Sequence, residues 1–92
     1  MTEGEHQWSV YLIECENGAY YCGISKQLAR RWQQHVAGKA AKYTRANRPC
    51  VMKVVKAMLS HSEALQTEHR IKQLARKNKQ QLWQEAVFFA AV

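Results

Sequence analysis

The strongest constraint on this chain is the pairing of Val10-Tyr11-Leu12 with Tyr20-Tyr21-Cys22-Gly23-Ile24 across Glu16-Asn17-Gly18. Both flanks are apolar, aromatic and β-branched, which suits strands over roughly 8–15 and 19–25, and Asn-Gly is a strong hairpin signal. Loop length then decides which face each tyrosine occupies. A two-residue turn at Asn17-Gly18 sets Tyr11 opposite Ile24 and sends Tyr21 to the other face, because side chains alternate with period two. A three-residue loop with Gly18 in the left-handed conformation pairs Cys15 with Ala19 and Tyr11 with Gly23. Both phenols then share one face as diagonal neighbours, and this odd-length loop is the expected one. Two phenols on one face beside a glycine make a site; on opposite faces they are only packing aromatics.

Charge is distributed unevenly. The net charge is +7, and all seven acids lie at or before Glu16 or at and after Glu63. The interval between holds Lys26, Arg30, Arg31, Lys39, Lys42, Arg45, Arg48, Lys53 and Lys56. A one-sign field over half a protein suits polyphosphate, with binding that weakens as salt rises. A basic surface kept for solubility is the plainer alternative. With 92 residues the chain is expected to form one domain, 8–92, after a flexible tail over 1–7. No apolar run is long enough to span a bilayer, so no membrane role is expected, and the acidic start is unlike a signal peptide. Cys15, Cys22 and Cys50 lack CxxC spacing and read as free thiols in a reducing cytosol.

Ser25 is placed to cap a helix over about 27–37, with Leu28, Trp32 and Val36 facing the sheet and Arg31 and His35 along one edge. Gly38 ends it. Residues 39–49 form a basic connector carrying Lys39, Lys42, Tyr43, Thr44, Arg45 and Arg48, a mix that can grip a phosphate backbone or stack on a base. A third strand is expected over 51–58. Ser60-His61-Ser62-Glu63 fits a capping box, so a helix starts near 61, with Ala64, Ile71, Leu74 and Ala75 inward. Glu68 falls on that stripe, where a carboxylate is costly unless paired or bound to a metal, and Lys72 is in reach at i+4. Asn78 is placed to cap a last helix over about 79–89, with Leu82, Trp83, Ala86 and Phe89 inward and an apolar tail available to a protein partner.

Taken in order, Ser9-Val10-Tyr11, Tyr21-Cys22-Gly23, Ala29-Arg30-Arg31-Trp32-Gln33-Gln34-His35 and Glu63-Ala64-Leu65-Gln66-Thr67-Glu68 resemble the GIY-YIG nuclease domain over about residues 8–82. The segment Gly38 to Arg45, with Arg48-Pro49, is similar to the small stand-alone YhbQ-like branch. Ser9 stands where the family name has glycine, and Cys22 where it has isoleucine. The resemblance implies an α+β fold, a three-stranded antiparallel sheet flanked by helices in the order β-β-α-β-α-α.

It also implies an endonuclease-like, metal-dependent phosphodiesterase acting on nucleic acid, DNA ahead of RNA. In that reading Glu68 holds a single Mg2+ or Mn2+ ion, weakly without substrate, since magnesium keeps waters and takes phosphate oxygens as further ligands. Arg31 stabilises the phosphate, and Tyr11 takes the proton of the attacking water. Tyr21 positions water or phosphate, and His35 orients a tyrosine or serves as an auxiliary base. Tyrosine's pKa near ~10 would have to fall, and Arg31 is expected to lower it. Gly23 is expected to admit the phosphate to the strand. Lys26, Arg30, Lys39, Lys42, Tyr43, Thr44, Arg45 and Arg48 complete the expected nucleic-acid surface. The competing readings are a non-catalytic DNA- or RNA-binding module and an adaptor that docks through its apolar tail.

Overall fold

The computed structural model describes residues 6–92; of the expected tail, residues 1–5 lie outside the described residues. Strand β1, Trp8–Cys15, pairs antiparallel with β2, Tyr20–Ser25. Counted from the Cys15–Ala19 pair, the loop between them has three residues, 16–18. Cys15 N–H donates to Ala19 O at 2.9 Å, Gly18 N–H returns to Cys15 O at 2.8 Å, and Gly18 has φ +83°. Only the left-handed region closes this loop, and glycine enters it without a Cβ penalty. The register is Tyr11 opposite Gly23 and Ile13 opposite Tyr21, which puts both phenols on one face.

Helix α1, Leu28–Val36, follows β2, and Ser25 Oγ accepts from Gln27 N–H at 2.9 Å. Its buried residues are Trp32 and His35. Val36, expected to face the sheet, is 48% exposed. The inward stripe turned one residue toward His35, because that imidazole finds polar partners in the interior. The basic connector is not a plain loop: Lys42–Ala46 forms a short helix, α2.

The sheet has four strands in the order β2-β1-β3-β4, which corrects the expected three. β3 is Pro49–Leu59, α3 is His61–Lys72, α4 is Arg76–Glu85 and β4 is Val87–Ala91. The element order is therefore β-β-α-α-β-α-α-β. The last helix starts earlier than expected, after Ala75 rather than Asn78, and stops at Glu85. Ala86 is already extended, and Val87, Phe88, Ala90 and Ala91 pair with Val54, Lys53, Met52 and Val51. Without β4, β3 would present a row of unpaired backbone groups, and a Val-Phe-Phe run suits a strand. Phe89 thus belongs to an edge strand and is not a helical core residue. Val87 and Phe88 remain 69% and 62% exposed.

The capping box forms as read: Glu63 N–H donates to Ser60 Oγ at 3.1 Å and Ser60 N–H to Glu63 Oε1 at 2.9 Å. The sheet separates two apolar clusters. Val10, Leu12, Cys22, Leu59, Ala64, Ile71 and Trp83 join it to α3 and α4. Tyr11, Ile13, Cys15, Trp32 and Met52 join the other face to α1. Among the described residues no helix is long and apolar enough to cross a membrane.

Candidate active site

The site is built on a buried polar chain. Tyr11 Oη lies 2.8 Å from His35 Nε2, and His35 Nδ1 lies 2.8 Å from Thr44 Oγ1. Tyr11, His35 and Thr44 are all buried, at 2%, 1% and 1% exposure. The proton order follows from the far end. Thr44 Oγ1 donates its one hydrogen to Ala41 O at 3.3 Å, so it accepts from His35 Nδ1–H. Nε2 is then the bare nitrogen, and the Tyr11 hydroxyl donates to it. β1 supplies the phenol, α1 the imidazole and α2 the hydroxyl.

Burial sets the charge states. It is the main cause holding the Tyr11 phenol well above tyrosine's usual range; Tyr21 adds to the rise, and the Arg31 guanidinium opposes it without prevailing. The expectation that cations lower this pKa is therefore corrected, because desolvation outweighs one nearby cation. Burial, then the Arg31 charge, lowers His35 to about 4. At neutral pH the chain consists of a neutral phenol donating to a neutral imidazole.

Tyr21 packs beside His35. Its ring meets His35 edge-on at 5.3 Å between centroids and lies nearly parallel to Tyr43 at 6.3 Å. Asn17 Nδ2 donates to Tyr43 Oη at 3.2 Å and to Asn47 Oδ1 at 3.1 Å, tying the hairpin loop to α2. Gly23 has a specific reason to lack a side chain: a Cβ there would run into Tyr11 Oη and Cζ. The space beside Gly23 is taken by the Tyr11 ring. Arg31, with Ser25, Gln27, Arg30 and Gln34, lines a polar depression of about 250 Å³.

Glu68 stands on α3, which packs against β2. Its side chain is 19% exposed, and Lys72 Nζ lies 3.2 Å from Oε2. Its charge acts on Tyr11 and also on Cys22, whose thiol is pushed up to about 12 by burial and then by Glu68. Among the described residues no three His, Cys, Asp or Glu side chains cluster to hold a metal. The donor set at Glu68 is thus one carboxylate. That fits a hard cation which brings waters and substrate oxygens as its other ligands, and does not fit a cation needing an all-protein cage.

The basic residues divide. Lys26, Arg30, Lys39, Lys42, Arg45 and Arg48 are exposed, as is Tyr43. Lys39, Lys42 and Arg45 share a depression of about 400 Å³ with Gly38, Ala40 and Ala41. Thr44 is the exception. It was expected on the nucleic-acid surface, but the helical turn of α2 directs it inward onto His35, where it cannot touch a phosphate backbone. Lys72 pairs with Glu68, and its Nζ also lies 5.9 Å from the Tyr21 ring centre. The signal for it was present in the i+4 spacing.

The model of the GIY-YIG catalytic domain matches residues 7–81. A UPF0213 protein of Neisseria gonorrhoeae is 48% identical over 79 residues, covering 86% of this chain and 87% of that one. A UPF0213 protein of Halobacterium salinarum is 45% identical over 74 residues, covering 80% and 96%. The solution NMR structure of the UPF0213 protein BH0048 from Bacillus halodurans is 36% identical, with a TM-score of 0.48 over 84% of this chain and 82% of that one. With the catalytic-domain model matching residues 7–81 and a relative 48% identical over most of both chains, this chain belongs to the GIY-YIG family.

Proposed function

We propose that the protein hydrolyses phosphodiester bonds in nucleic acid, DNA ahead of RNA, with a single Mg2+ or Mn2+ ion held at Glu68. The observation that carries the reading is the buried chain from Tyr11 through His35 to Thr44. A phenol kept neutral by burial is a poor base by itself. Hydrogen-bonded to a bare imidazole nitrogen, it accepts the proton of an attacking water as its own proton passes to His35 Nε2. No free phenolate forms, and the cost passes to His35, whose imidazolium is disfavoured by burial and by Arg31, so the charge building on the substrate has to offset it. The imidazolium keeps its Nδ1–H on Thr44. The water oxygen forms the new bond to phosphorus as the bond to the leaving oxygen breaks.

Arg31 supports the charge that builds on the phosphate in the polar depression beside it. Tyr21, half-buried beside His35, positions the water or a phosphate oxygen. A cation at Glu68 supplies charge neutralisation at the scissile phosphate and the leaving oxygen. The exposed cations of residues 39–48 take neighbouring phosphates along the strand.

The test is cleavage of plasmid, single-stranded DNA and RNA with Mg2+ or Mn2+, using Tyr11→Phe and Glu68→Ala beside the wild type. Each variant should lose roughly a hundredfold or more in rate while keeping its affinity. Wild-type protein that binds all three substrates and cuts none would mark a binding module. Glu68→Ala cutting as fast as wild type would remove the carboxylate from the mechanism.

A further inference from the structure

Lys72 has no part in the mechanism above, yet its ammonium lies against Glu68 and near the Tyr21 ring. Its Nζ is 3.2 Å from Glu68 Oε2 and 5.9 Å from the centre of the Tyr21 ring. A solvated i,i+4 pair on a helix usually joins two exposed side chains. Here the carboxylate is 19% exposed and the lysine 52%, so the anion is seated and the cation spans from solvent onto it. A divalent ion at Glu68 would share the carboxylate with Lys72 and would lie a few ångströms from its positive charge. Lysine is a point charge on a flexible stem and can swing away from the less exposed carboxylate.

We propose that Lys72 is a tethered cation that occupies the Glu68 carboxylate and must leave it before a divalent ion binds. Nucleic acid releases it by offering a phosphate as its new partner. The proposal rests on reading Glu68 as an ion ligand. Its consequence is an order of binding: the protein alone takes up divalent ions poorly, and the substrate phosphate opens the site to them. Lys72 thus acts as a positioning residue and not as a group at the reacting atoms.

Mn2+ titration of the full chain without nucleic acid, followed by the paramagnetic resonance of free Mn2+, tests the competition. Removing one positive charge at this distance should tighten Mn2+ binding by Lys72→Met about tenfold over wild type. Lys72→Arg should stay near wild type, and Glu68→Gln/Lys72→Met should lose the gain. A short phosphorothioate oligonucleotide should narrow the gap between wild type and Lys72→Met. The proposal is overturned if Lys72→Met binds Mn2+ no better than wild type, if the gain survives without Glu68, or if the oligonucleotide leaves the gap unchanged. The cleavage assay separates this from the functional reading. Glu68-dependent cleavage with no gain in Lys72→Met refutes the competition alone. A gain in Lys72→Met with no cleavage of any substrate refutes hydrolysis and leaves the competition standing.

Discussion

Tyr11 Oη and His35 Nε2, from residues 24 positions apart in the chain, form a 2.8 Å hydrogen bond in the interior. Because Thr44 claims the Nδ1 proton, this bond has one direction, from phenol to imidazole. The direction makes His35 the destination for a proton leaving Tyr11.

Gly23→Ala should damage both stability and chemistry. The added methyl meets the Tyr11 ring, whose other sides are packed. Overpacking of this kind costs about 1–3 kcal/mol. The measurement is the urea midpoint together with the cleavage rate. An unchanged midpoint would show that the ring can retreat at no cost.

Thr44→Val should keep the fold and lose the tautomer. It removes the acceptor for a buried N–H, a loss of about 1–3 kcal/mol. Imidazole nitrogen shifts should show His35 divided between its two tautomers, with cleavage reduced about tenfold or more for want of a fixed acceptor. Thr44→Ser should restore the shifts and the rate; a serine variant that behaves like valine would point to methyl packing.

Stability should fall on acidification through His35. The unfolded chain takes up this proton near 6.5, the folded one only near 4. Between these values the unfolded state binds more protons, so stability is full above about 6.5 and is lost as the pH falls toward 4. Urea midpoints at pH 7 and 4.5 should differ less in His35→Gln than in wild type. Equal differences in the two proteins would place the acid sensitivity elsewhere.

Lys42→Ala and Arg45→Ala should each weaken binding equally on all sequences and reduce the slope of log affinity against log salt by about one. Affinities measured across a salt series decide this. An unaltered slope would exclude the exposed face of α2 from the interface.

Much of the site was legible because it is local. The Asn17-Gly18 turn and the alternation of Tyr20 to Ile24 imposed the hairpin register, and that register put both tyrosines on one face. The Ser60–Glu63 capping box is likewise a contact between near neighbours. The last segment was not legible. Val87 to Ala91 is a short apolar run, and such a run suits a buried helix end or a strand equally well. The vacant edge of β3, more than thirty residues upstream, resolved it.

By itself, the sequence determined the hairpin, the start of α3 and the segregation of charge. These depend on turn chemistry, side-chain period and residue type, which act over a few positions. The tertiary structure alone decided that Thr44 turns inward, that His35 and not Val36 is buried, and that the Tyr11 pKa rises. It also decided that the Lys72–Glu68 pair, which the i+4 spacing already offered, lies beside Tyr21. Each of these depends on which distant groups exclude water together. Desolvation, unlike a turn, cannot be read from neighbours in the chain.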